Sequence, residues 1–258
     1  MAEPSRSRRG IYLLPNLLTT GALFAGFYAI VSATLGRFES AAVAIFIAMI
    51  LDGLDGRVAR LTGTSSSFGK EYDSLADVIS FGLAPALVIF EWSLQHVMYE
   101  GWVLQKLGWL AAFFYTAAAA LRLARFNSRS SEQDKKYFQG LPSPAAAGVM
   151  LGYVWACHDL KYTGAELWIF SFIITMVSGA LMVSNLSFYS FKEFDVRNKI
   201  PFMAMLLVVG IFMLASIDPP KVMFGVFAVY ALSGPFTHLV RYRRKRVRSA
   251  AKTDQAVK

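Results

Sequence analysis

Charge, cysteine and histidine are all scarce in this 258-residue chain. Lys, Arg, Asp and Glu make up 17% of it, against 55% for the apolar residues. So little charge excludes an ordinary water-soluble domain and points to a chain solvated by lipid. The single cysteine, Cys157, excludes an intrachain disulfide and a cysteine-based zinc centre, and reads as a small apolar helix residue. His96, His158 and His238 are scattered near the ends of apolar stretches. They form no ligand cluster and no nucleophile–base pattern, and are expected to be interfacial or structural. Internal repeats, low-complexity segments and domain boundaries are also lacking, so residues 1–258 are expected to form one membrane domain.

What the chain has is apolar length. Eight stretches, at roughly 11–35, 38–61, 70–97, 101–126, 143–158, 165–185, 199–217 and 219–240, predict an all-α polytopic bundle of about eight transmembrane helices. Arg6, Arg8 and Arg9 before the first run resemble the start of a signal peptide, but Pro15-Asn16 and Thr19-Thr20 interrupt that run. A retained first helix is the better reading. The fifth stretch is short and rich in small residues, which suits close packing. Asp218-Pro219-Pro220 predicts a tight reversal between the last two.

The net charge of +9 is unevenly placed. With the N-terminus in the cytoplasm, the inner segments hold every Lys and Arg except Arg37, Lys106, Lys161 and Lys221. Such a bias orients the chain in the cytoplasmic membrane with both termini inside, and makes 1–10 and 241–258 basic cytoplasmic tails. The tail directly abuts a span, so contact with anionic lipid is expected rather than nucleic-acid binding.

The acidic residues stand out against this background. Of nine aspartates, Asp52, Asp55, Asp73 and Asp77 lie inside or at the edge of apolar spans. Placing one at a bilayer centre costs about 2.5–3.5 kcal/mol, so four deep ones would cost on the order of 10 kcal/mol. A position near the cytoplasmic ends lowers that figure without removing the need for a partner. Asp52 and Asp55 are three apart, Asp73 and Asp77 four apart, so each pair shares a helix face. Thr62 to Ser67 between them reads as a turn, which lets two antiparallel helices bring the faces together. Four carboxylates at one point demand cations. Arg57 and Arg60 add only two charges, and an all-oxygen set selects Mg²⁺ or Mn²⁺, with Ca²⁺ possible. Two divalent ions balance four carboxylates. Gly53, Gly56, Ala59 and Gly69 either leave room for a ligand there or serve close helix packing.

The segment Asp52–Asp77 also resembles the signature of the CDP-alcohol phosphatidyltransferases, D-x2-D-G-x2-A-R-x8-G-x3-D-x3-D. Asp52, Asp55, Gly56, Ala59, Arg60, Gly69, Asp73 and Asp77 meet every fixed position. The resemblance implies that fold, a homodimer with its active site open to the cytoplasm, and two divalent ions on the four aspartates. It implies a cytidine diphosphate pocket lined by Gly56 and Ala59, with Arg60 and Gly69 beside them. Asp77 becomes the general base for the acceptor hydroxyl. The implied donor is CDP-diacylglycerol and the leaving group CMP.

Segments 13–20, 122–127, 138–147 and 181–192 look like the serine-accepting branch of that family, which makes L-serine the expected acceptor. Serine carries a carboxylate that suits a guanidinium. Arg122 and Arg125, with Asn127, are therefore expected to bind it, unless the arginines serve only as positive-inside anchors. Asn16 and Thr19 contact the nucleotide or else bond between helices. Lys135, Lys136 and Lys192 meet phosphate or lie in solvated loops. Glycerol phosphate, inositol phosphate or choline are rival acceptors. A cation transporter is a rival of another class, in which Ala59, Arg60 and Gly69 would have no evident role.

Overall fold

The computed structural model describes residues 6–64, 66–96, 102–128, 137–189 and 202–256. The described chain is overwhelmingly helical. In order it forms α1 (Arg6–Thr34), α2 (Phe38–Thr62), α3 (Ser67–Asp77), a π-helical turn (Val78–Leu83), α4 (Ala84–Trp92) and α5 (Trp102–Ser128). The second half comprises β1 (Tyr137–Gln139), α6 (Ser143–Asp159), α7 (Trp168–Val183), β2 (Ser187–Tyr189), α8 (Phe202–Ile217) and α9 (Pro219–Ala256). Because α3, the π turn and α4 run on as one rod, the expected stretches appear as eight helical rods among the described residues. Leu14–Thr34, Ser67–Trp92 and Lys106–Ser128 are long and apolar enough to cross a membrane, and Trp168–Val183 is a shorter apolar helix.

Small residues let the rods approach. Ala22, Ala25, Ala29 and Ala33 recur every three or four positions along α1 and are buried with Ala41, Ala44 and Ala48 of α2. The two helices reverse at Gly36, whose φ of +71° suits glycine. α6 is buried almost throughout from Ser143 to Val154, making it the central helix. A Cβ on Gly148 would stand 2.5 Å from the Phe227 ring, and one on Gly152 would stand 2.8 Å from the Phe224 Cα. α9 therefore lies directly against the central helix. Outward, Phe24, Phe27, Phe113, Phe170 and Phe236 are exposed, as a lipid-facing surface requires.

The all-α expectation needs one addition. β1 and β2 form a two-stranded antiparallel ribbon with Phe138 opposite Phe188. The fully buried Phe188 ring anchors it against Tyr230, with ring centroids 5.9 Å apart. At the reversal before α9, Asp218 accepts from the Lys221 N–H (3.3 Å) and pairs with its ammonium group. His96 and His158, expected to be scattered, share the lining of a 380 Å³ cavity with Phe38, Trp92 and Lys161.

Candidate active site

Local signals in α2 and α3 build the site. α2 stops at Gly63, which takes the left-handed conformation (φ 63°) and donates its N–H to Ala59 O. Ser66 then caps α3, its hydroxyl accepting from the Gly69 N–H at 2.9 Å. The caps on either side of the turn send α3 back against α1, on which it packs. As a result Asp52, Asp55 and Asp73 each bring a carboxylate oxygen within 4.8 Å of the others. Asp77, one turn further along α3, lies outside this trio and interacts electrostatically with Asp52 and Arg122. Among the described residues, no ion pair within 4.0 Å involves any of the four carboxylates.

α1 completes one wall. Thr19 Oγ1 is 2.7 Å from Asp55 Oδ2 and 3.1 Å from Pro15 O. Its one proton goes to the nearer, charged acceptor. Thr20 Oγ1 and Tyr72 Oη, 2.9 Å apart, join α1 to α3. Asn16 stands beside Gly69, where a Cβ would meet its Oδ1 at 3.2 Å.

Next to the carboxylates there is space. A Cβ on Gly53 would meet nothing within 4 Å, and one on Gly56 would meet only Arg60 Nη1, at 3.8 Å. Neither glycine packs against a helix. Both face open space; Ala59 is half-buried and Arg60 exposed.

The three residues expected to bind an acceptor have different environments. Arg122 is buried, at 7% exposure. Its Nη1 donates to Ser143 Oγ at 3.0 Å, and its Nε has no partner among the described residues. Arg125 is occupied otherwise. Its Nη1 donates to Val183 O and Asn185 Oδ1, and its Nη2 to Gln139 O, Met182 O and Ser184 O, all between 3.1 and 3.3 Å. It ties α5 to the end of α7 and to the ribbon. Asn127 Nδ2 donates to Ser74 Oγ at 2.8 Å, joining α5 to α3. Lys135, Lys136 and Lys192 lie outside the described residues.

Sequence reasoning missed Ser143, Tyr72 and Tyr115. Nothing in the sequence marked Ser143 as the partner of Arg122 or singled out either tyrosine.

Oxygen-only ligands, gathered at one end of apolar helices and open on one side, suit hard divalent cations. Residues 12–184 match the family profile described as CDP-alcohol phosphatidyltransferase, and the chain belongs to that family. More narrowly, it is 36% identical over 226 residues to the CDP-diacylglycerol–serine O-phosphatidyltransferase of Helicobacter pylori, covering 86% of this chain and 90% of that protein. Against the protein of the same name from Mycobacterium tuberculosis, identity is 34% over 248 residues, 92% of this chain and 82% of that one. The protein of that name from Saccharomyces cerevisiae is 39% identical over 145 residues, 50% of this chain and 49% of that one.

Proposed function

We propose that this chain transfers the phosphatidyl group of CDP-diacylglycerol to the hydroxyl of L-serine, giving phosphatidylserine and CMP. The observation that carries the reading is the carboxylate trio within 4.8 Å, bordered by open space at Gly53 and Gly56. A cation transporter would have no use for that opening beside the ions.

Asp52, Asp55 and Asp73, helped by Asp77, would hold two divalent cations, Mg²⁺ or Mn²⁺. Cations held there would supply charge neutralisation for the diphosphate and for the departing CMP. The residues of the chain do the rest. Gly56, Ala59, Arg60 and Gly69 border the nucleotide, with Asn16 and Thr19 behind. Thr19 holds the Asp55 carboxylate in orientation. Asp77 accepts the serine hydroxyl proton as the oxygen bonds to phosphorus and the bond from phosphorus to the CMP oxygen breaks. Arg122, buried, with an unpartnered Nε and within the electrostatic reach of Asp77, offers its guanidinium to the serine carboxylate. Arg125 and Asn127 frame that subsite through their bonds to neighbouring elements. All eight rods cross the cytoplasmic membrane, the site and both basic tails face the cytoplasm, and the working form is a homodimer.

The test is CMP release by purified protein in detergent with CDP-diacylglycerol and a panel of serine, glycerol phosphate, inositol phosphate and choline. Turnover with serine alone, abolished by chelator, is expected. Preference for another alcohol would overturn the acceptor. Nucleotide-independent metal flux without CMP release would overturn the reaction.

A further inference from the structure

The rod that carries Asp73 and Asp77 is not a uniform helix. Immediately after Asp77 it widens into the π turn Val78–Leu83, with the Ala84 N–H reaching back five residues to Ile79 O. A π turn adds one residue to the helix and rotates the segment on its N-terminal side by about 100° relative to the segment on its C-terminal side. The direction in which Asp77 points is thus set by how this turn is held. Pro85, at the start of α4, has no N–H to offer the Phe81 carbonyl four residues back. That carbonyl belongs to a residue with no exposure at all. Tyr115 of α5, itself fully buried, donates its hydroxyl to Phe81 O at 3.0 Å. Two further contacts seat the turn. Ser80 Oγ donates to Ala22 O at 3.1 Å, and Gly82 lies where a Cβ would meet Ala119 Cβ at 3.1 Å.

We propose that Tyr115 is a positioning residue for Asp77: its hydroxyl supplies the bond that Pro85 cannot give and so fixes the π turn from which Asp77 projects. The proposal rests on the role given to Asp77 above. Tyr115 reaches the chemistry through the backbone of the neighbouring helix, so its loss acts on turnover rather than on substrate binding.

A double-substitution cycle on the full-length enzyme in detergent tests it. Tyr115→Phe is expected to lower kcat about tenfold while the KM values for CDP-diacylglycerol and serine stay within about twofold. Pro85→Ala restores a backbone N–H beside Phe81 O and keeps activity, since Ser80 and Gly82 still seat the turn. In that background Tyr115→Phe should cost less than about twofold, because the carbonyl has another donor. Unchanged kcat in Tyr115→Phe, an equal loss in both backgrounds, or an inactive Pro85→Ala would each overturn the proposal. Should Tyr115→Phe alone not fold, a folded and active double variant supports the proposal, and an inactive or unfolded one overturns it. Asp77→Asn is assayed alongside. Its normal turnover would bring down the role of Asp77 itself, whereas its inactivity beside an unaffected Tyr115→Phe would bring down only the positioning role.

Discussion

Thr19 on α1 and Asp55 on α2 meet through a 2.7 Å hydrogen bond between two buried side chains. Asp55 is the least exposed of the three clustered carboxylates, and this bond fixes its direction from a helix that contributes no acidic ligand. Residues that orient metal ligands typically affect affinity or activity by 10- to 100-fold when removed. Thr19→Val keeps the shape and loses the hydroxyl. The expected result is a divalent-cation requirement raised about tenfold, read from Mg²⁺ and Mn²⁺ titrations of CMP release. An unchanged titration would make the bond merely structural.

Removal of cations with chelator should stop CMP release, and added Mg²⁺ or Mn²⁺ should restore it. Asp73→Asn removes one ligand charge from the trio. It should abolish turnover at any practical cation concentration without loss of folded protein, as judged by size exclusion. Full activity after exhaustive chelation would rule out the metal-based reading.

Gly56 borders open space, so a larger side chain there should fit the fold and obstruct the site. Gly56→Leu is expected to keep or raise thermal stability, because Gly in a helix costs about 0.5–1 kcal/mol relative to residues with a Cβ. Turnover of CDP-diacylglycerol should nevertheless fall by at least about tenfold, as when a bulky group occupies a ligand's place. A variant of normal activity would show that nucleotide does not pass this face.

Arg122 and Arg125 sit nearly one turn apart on α5, yet their environments predict opposite phenotypes. Arg125→Ala removes the guanidinium donors from carbonyls at the end of α7 and on the ribbon. It should lower stability by about 2–3 kcal/mol and leave the KM for serine unchanged in the protein that remains folded. Arg122→Gln should raise the KM for serine about tenfold while that for CDP-diacylglycerol holds. The reverse pattern would exchange their roles.

Much of this architecture was written in hydropathy and spacing. Each apolar stretch became a helical rod, because a backbone in lipid must satisfy its own hydrogen bonds. The turn between α2 and α3 falls where Thr62 to Ser67 announced it, and the three-residue spacing of Asp52 and Asp55 puts both on the face that Asp73 meets. Asp77, expected with the other three, lies outside the trio and interacts electrostatically with Asp52 and Arg122. The ribbon escaped notice because each strand is three residues long and the two lie some fifty residues apart. The π turn left no trace in apolarity, since Val78–Leu83 reads as part of the same apolar run as α4. Arg125 looked like a substrate ligand because a sequence shows its charge and not the carbonyls folded around it.

α6 is surrounded by neighbours, and α9 presses on its two glycines through Phe224 and Phe227. Among the described rods α9 follows the other seven in the chain, so it emerges from the ribosome after them. Until then the innermost helix has a bare groove along Gly148 and Gly152, and the nascent bundle stays unfinished on that flank. The bundle therefore closes on that flank only when α9 arrives. A product stopped before α9 would leave this notch open, however intact its acidic centre.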